Sequence, residues 1–326
     1  MAPRQSLLLS PWAEAGHSLT ILKVAVYLGG FHENLFADRG PLPSRTFFLA
    51  PFLIVLKISL SQTAIAQPPY TPVFDLAAGW QGMVDYVSRL SLDAYGLLAS
   101  DSLYVRSYLK SLLVGVSATA ILLLLGFPLA YAMARAPRRA QTALVVLVIL
   151  PFWTSFLIRI YAWINILQRD GLLNDLLLAL RIVDTPIAWL ATDTAVMIGI
   201  VYTYLPFMVL PLYATLEKQD MALLEAAADL GAPVWKAFWL ITVPLAWPGI
   251  VAGSLLCSIP IVGEFVIPDL LGGSQSFMIG QTLWLEFFSN KDWPVASALA
   301  VTLLLVLLIP IVAYQHHQMR SLERER

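Results

Sequence analysis

Charge is missing from long stretches of the chain, and those stretches set its organisation. Leu112–Ala134, Thr194–Leu216, Ala237–Gly263 and Trp293–Met319 contain no Asp, Glu, Lys or Arg, and Gln141–Leu167 contains only Arg159. A helix crossing the hydrocarbon layer needs about 20 mostly apolar residues, so each stretch can supply one span. A shorter one lies at Thr46–Leu56, between Arg45 and Lys57, and its apolar character continues to Leu60. Lys57 can extend its ammonium to an interface while its stem stays in lipid. The pattern predicts an all-α membrane protein of six transmembrane helices, near residues 43–61, 112–134, 141–167, 194–216, 245–268 and 294–314.

The basic residues orient these spans. Arg135, Arg138 and Arg139 crowd the short loop between the second and third spans. Arg320, Arg324 and Arg326 follow the sixth span, and Arg4, Lys23, Arg39 and Arg45 precede the first. On the other side, Arg89, Arg106, Lys110, Arg169, Arg181 and Lys291 are spread over much longer segments. Dense Lys/Arg in short loops marks the cytoplasmic side. Both termini are therefore expected in the cytoplasm. Residues 1–42 form a cytoplasmic N-terminal segment, 43–317 the six-span domain and 318–326 a cytoplasmic tail. The start Arg4, Leu7–Leu9, Ala13-Glu14-Ala15 imitates a signal peptide, but its apolar core is interrupted by Pro11 and falls short of the usual 7–15 residues.

Composition narrows the function. The chain is 59% hydrophobic and 13% charged over 326 residues, with a net charge of −1, so it offers no basic field for nucleic acid. Cys257 is the single cysteine, which excludes a disulfide framework and a cysteine metal cluster. His316-His317 has no further His or Cys nearby to complete a metal site. No Gly-Lys dipeptide occurs, so a phosphate-cradling nucleotide loop is missing. Neither H-E-x-x-H nor G-x-S-x-G is present, and hydrolytic chemistry has no support. No cofactor is expected, and any ATP-driven work must be done by another chain.

The cytoplasmic loop 217–244 is more than a connector. Met221–Leu230 has helical composition, with Glu225 early, where a helix N-terminus favours acids, and Asp220 placed to cap it. Gly231 stops the helix and Pro233 opens a second piece. In that piece Val234, Phe238 and Ile241 are expected on one side. Ala226, Ala227 and Ala228 leave a shallow surface into which another protein's groove can fit, with Glu225 as an anchor charge. An ordinary interfacial connector would need no such run of small residues.

Glu225-Ala226-Ala227, three residues, Gly231, nine residues, Ile241, one residue, Val243-Pro244 resembles the EAA signature of ABC importer permeases. Only the apolar residue before the proline departs, Val for Leu. A narrower resemblance, to the polyamine (putrescine/spermidine) permeases and most of all to the putrescine type, is carried by Ile149–Arg159 and Tyr161-Ala162-Trp163. Val262–Gly273 and Asp292–Ala298 carry it too. It covers about Pro51 to His317. The resemblance implies a type I ABC importer permease in a bacterial inner membrane. It further implies that the loop is a coupling helix docking into a cytoplasmic ATPase. The implied partners are two ATPase copies, a second homologous permease and a periplasmic substrate-binding protein, with membrane lipid around them.

Charges at membrane depth are the remaining candidates. A carboxylate inside a span costs about 2.5–3.5 kcal/mol on insertion scales and should face protein or water. Glu264 and Asp269 fall at the outer end of the fifth span. They can line a cation path, or one of them can pair with Arg159 on the third span. Trp153 and Tyr161, with Phe152 and Tyr204, are candidates to offer ring faces to an ammonium, although belt and packing roles are open to all four. A gradient-driven secondary transporter or channel for a small cation is the competing class, and within the resemblance an ABC permease for another small solute is the other alternative. The gradient-driven class would require inverted repeats and mid-membrane coordinating charges. No repeat is evident, and the charges sit at span ends.

Overall fold

The computed structural model describes residues 42–73, 84, 86–273 and 276–324. The signal-peptide-like start and nearly all of the N-terminal segment lie outside these residues. Helix α1, Leu42–Ser59, follows the first apolar stretch and exposes Phe52, Leu53 and Ile54. A two-stranded antiparallel ribbon, β1 (Gln62–Thr63) and β2 (Tyr70–Thr71), and helix α2, Asp93–Ser100, lead to the bundle.

The second stretch becomes α3, Ser102–Arg135. It begins ten residues before the apolar window because Asp101 accepts the Leu103 amide at 2.8 Å and caps it. At 34 residues it is about 50 Å long, well over the roughly 30 Å hydrocarbon layer. The turns bearing Arg106 and Lys110 therefore extend beyond that layer. Helix α7, Asp193–Leu216, is capped by Thr192, whose hydroxyl accepts the Ala195 amide at 3.2 Å. Helix α11, Trp247–Val262, completes the group, and α3, α7 and α11 pack most extensively on one another.

These three helices touch through small residues. A Cβ on Gly126 of α3 or on Gly253 of α11 would lie 2.9 Å from the side chain of Met208 on α7. Met208, Leu122, Leu212, Leu216 and Cys257 are completely buried around that crossing. Lipid tails are as apolar as leucine, so helices in a membrane associate by close packing rather than by hydrophobic exclusion. The opposite face of α3 leaves Leu113, Val116 and Leu124 exposed.

Two of the expected spans are not straight. The third is divided into α4, Arg138–Ile149, a tight turn at Leu150–Trp153, α5, Phe156–Leu167, and α6, Leu172–Ala179. Its halves bend by 89°. Pro151 sits in the tight turn, and Thr154 and Ser155 have ψ values of 151° and 138°, which breaks the helical hydrogen-bond ladder. The fifth stretch begins as α9, Val234–Ala237, and α10, Val243–Leu245, and meets α11 at 62° beside Pro244 and Pro248. It ends at Gly263, and a separate α12, Val266–Leu271, follows.

Helix α13, Ile279–Trp284, and the long α14, Trp293–Arg324, close the chain. Ala94, Leu98, Tyr104, Val262, Ile279 and Leu299 form a second apolar cluster joining α2, α3, α13 and α14. Among the described residues, two helices are long and apolar enough to cross a membrane, or four if each bent pair counts as one span. Leu49–Ser59 and Trp293–Ile309 are shorter apolar helices at the places of the first and sixth stretches.

Candidate functional site

The loop 217–244 carries helix α8, Ala222–Asp229. Asp220 caps it by accepting the Ala222 amide at 2.9 Å. Its other end is closed by two bonds, Ala232 N–H to Ala227 O at 2.9 Å and Gly231 N–H to Ala228 O at 2.8 Å. That pair is a Schellman closure, which needs a left-handed residue between helix and exit, and Gly231 has φ +77°. Glu225 and Ala226 are exposed and Ala227 is half-buried. The helix thus offers small residues beside two exposed carboxylates, Glu225 and Asp229, four residues apart.

The second piece departs from its expected face. Val234 is 87% exposed, whereas Phe238 is half-buried. The backbone widens into a π turn at Phe238–Thr242, and Ile241 is half-buried like Phe238, so it is Val234, ahead of that turn, that leaves the expected side. Leu230, Val234, Trp235 and Trp239 are all strongly exposed along this loop.

A second site is built at the break between α11 and α12. Glu264 occupies the corner and is satisfied by uncharged donors. The Tyr204 hydroxyl donates to its Oε2 at 2.6 Å, and the amides of Val266 and Ile267 donate to its Oε1 at 3.0 and 3.4 Å. The carboxylate therefore holds the first amides of α12, and among the described residues no Lys or Arg pairs with it. The start of α13 closes on the same corner: a Cβ on Gly280 would lie 2.3 Å from the Gly263 carbonyl oxygen.

Arg159 does not pair with Glu264 or Asp269. Its guanidinium lies over Phe152 at 5.0 Å and Phe156 at 5.9 Å, and its Nε is buried without an acceptor. The 89° bend aims α5 so that the cation finds ring faces before it finds an acid. Between the two charges runs a ladder of rings. Tyr204 meets Phe207 at 5.9 Å, Phe207 meets Phe152 edge-on at 5.1 Å, and Phe152 meets Arg159. Asp269 is exposed and accepts from Gln281 Nε2 at 3.1 Å. Trp153 and Tyr161 are 77% and 54% exposed and take no part in the ladder.

Two residues of this region escape sequence reasoning. Phe207 is one; its only signal is a three-residue spacing from Tyr204, which puts both on one face of α7. Glu286 is the other, buried in a second π turn at Leu285–Ser289. It accepts from the Tyr104 hydroxyl and from Asn290 Nδ2, both at 2.9 Å.

A helical bundle with bent apolar spans and an exposed, glycine-stopped helix on one loop suits the membrane-embedded part of a transport system. Residues 112–320 match the family described as "Binding-protein-dependent transport system inner membrane component", and the chain belongs to that family. It is 44% identical over 224 residues to the spermidine/putrescine transport system permease protein PotB of Escherichia coli (strain K12), covering 69% of this chain and 81% of that one. The Haemophilus influenzae protein of the same name is 42% identical over 229 residues, covering 70% and 80%. A crystal structure of a bacterial ABC transporter involved in alginate import shares the fold, with a TM-score of 0.58 at 17% identity, covering 92% of this chain and 98% of that one. The chain is thus a permease subunit of a binding-protein-dependent membrane importer and not an enzyme.

Proposed function

We propose that the chain is one of two homologous permease halves that carry putrescine or spermidine from the periplasm to the cytoplasm by alternating access. Two copies of a cytoplasmic ATPase drive it, and a periplasmic binding protein feeds it. Both termini are cytoplasmic in a multi-pass inner-membrane arrangement, in keeping with Arg135, Arg138 and Arg139 beside the coupling loop. The observation that carries the coupling role is the exposed Glu225–Gly231 helix, held in shape by its Schellman closure.

The polyamine assignment is supported by the two relatives' names and by the chemistry of the Glu264 corner. An uncompensated carboxylate attracts an ammonium, and the faces of Tyr204, Phe207 and Phe152 replace part of the water it sheds. Such a cation–π contact is worth about 0.5–2 kcal/mol. Arg159, resident on the far ring, repels a second ammonium and bounds the site. Glu264 and Tyr204 are the primary path residues in this reading, and Asp269 is an exposed secondary acid. Trp153 and Tyr161 present their rings outward.

Affinity purification of the tagged chain in mild detergent, with mass spectrometry of what is retained, tests the assembly. A second permease, an ATPase and a polyamine-binding protein are expected together. Recovery of the chain alone or only with copies of itself, from membranes active in polyamine uptake, would contradict the proposal.

A further inference from the structure

The base of the coupling loop is tied in a way that its docking role does not require. Gln219, just ahead of α8, donates through Nε2 to the Thr242 carbonyl at 3.0 Å. Residues 219–242 are thereby closed end to end, and the closing carbonyl belongs to the π turn Phe238–Thr242. Turns of this width are rare within helices and recur at functional sites.

Both ends of the closed loop meet one helix. Phe127, Tyr131 and Arg135 of α3 follow at four-residue intervals and so share a face. Phe127 and Tyr131 each meet Phe238 edge-on, at 5.6 and 5.9 Å. One turn further, the Arg135 guanidinium lies over the Tyr131 ring at 5.1 Å, and its Nη1 rests against Met221 Sδ, the residue before α8. Among the described residues Arg135 has no carboxylate partner, and its Nε and Nη2 are buried without acceptors. Ring and thioether set its position.

Nearer its middle, α3 meets the segment that leads into the Glu264 corner. A Cβ on Gly115 would lie 2.7 Å from Val262 Cγ2, two residues before Glu264. From Gly115 to Arg135 the helix is continuous and spans about 30 Å. One continuous helix, with Pro128 inside it, therefore grips the coupling loop at its end and touches the segment leading into the corner about 30 Å away.

We infer that the Phe127–Tyr131–Arg135 stripe is the lever through which displacement of the coupling loop reaches the Glu264 corner. Its members are positioning residues: they hold the loop to α3 and contact neither the ATPase nor the substrate. The inference rests on reading Glu225–Gly231 as the ATPase contact, and the two can fail separately.

The test uses the complete complex in proteoliposomes, with ATP inside, and binding protein and labelled putrescine outside. Phe238→Ala and Tyr131→Ala should retain the ATPase on the complex. Phe238→Ala loses both edge-on pairs with α3 and should raise ATP consumed per putrescine imported about tenfold, and Tyr131→Ala, which loses one of them, about threefold. Tyr131→Phe keeps the ring and should restore the wild-type ratio, which a loss of bulk stability would not do. If Phe238→Ala does not assemble, Phe127→Leu with Arg135→Gln removes one ring pair and the thioether contact by smaller changes, read by the same ratio. A wild-type ratio in an assembled lever variant overturns the inference. So does loss of the ATPase from that variant, which would put the stripe in docking instead. Failure of the docking reading shows elsewhere, as full ATPase retention and uptake by Ala226→Glu.

Discussion

Gly231→Val should abolish most uptake while leaving the membrane bundle assembled. The glycine has φ +77° with nothing within 4 Å of where a Cβ would stand. The penalty is therefore conformational and not steric crowding. A β-branched residue is a genuine outlier at positive φ, and strained backbone of this kind costs about 1–3 kcal/mol. The Schellman bonds would open, and the small-residue face would lose its fixed direction. Gly231→Asn tolerates the left-handed region and should keep most activity. Ala226→Glu attacks the same surface by bulk and by a second negative charge next to Glu225. An overpacked contact costs about 1–3 kcal/mol, so ATPase retention should fall about tenfold or more. Retention of the ATPase on purified complexes, with thermal stability of the complex as the control, separates these outcomes from misfolding. Wild-type uptake by assembled Gly231→Val or Ala226→Glu would contradict the coupling role.

Glu264→Gln should lower polyamine uptake about 10- to 100-fold, the range set by losing a charged hydrogen-bond partner. The complex should remain stable. A glutamine Oε1 still accepts from the Val266 and Ile267 amides, and its NH₂ can donate to the Tyr204 hydroxyl, which accepts as readily as it donates. An ion pair with Arg159 would behave differently: breaking one side of a buried pair costs about 3–5 kcal/mol, and Arg159→Gln would rescue it. The guanidinium rests on Phe152 and Phe156 instead, so no rescue is expected. Normal putrescine uptake by a stable Glu264→Gln complex would remove Glu264 from the path and leave Asp269 to be tested.

The uncharged windows 112–134 and 194–216 correspond to α3 and α7 because helix and window coincide where no proline-rich break intervenes. Window 141–167 looks the same on paper, yet it bends by 89°. Composition reports how long an apolar segment is and carries little about its angle. Pro151 marks the place of the bend, but Pro128, Pro206 and Pro211 lie inside continuous helices, so proline alone does not discriminate. Helix α8 was legible as a helix because its signal is local: an acidic start, small residues and a glycine at the exit. The Glu264–Tyr204 bond was not, since its partners lie on different spans and neither looks unusual by itself. Pairing Arg159 with an acid follows from charge alone, and the geometry of the bend favours the rings. Phe238 and Ile241 are both half-buried as expected, while Val234 at the start of the second piece is exposed, which spacing alone does not foretell.

The central claim is that an external ATPase drives a polyamine through this chain. The direct measurement is uptake of labelled putrescine by proteoliposomes holding the permease pair and the ATPase, with the binding protein outside. Uptake should require both ATP inside and the binding protein, and unlabelled spermidine should compete with it. Accumulation that follows an ion gradient without ATP, or ATP-dependent uptake of anions that leaves putrescine outside, would contradict the account.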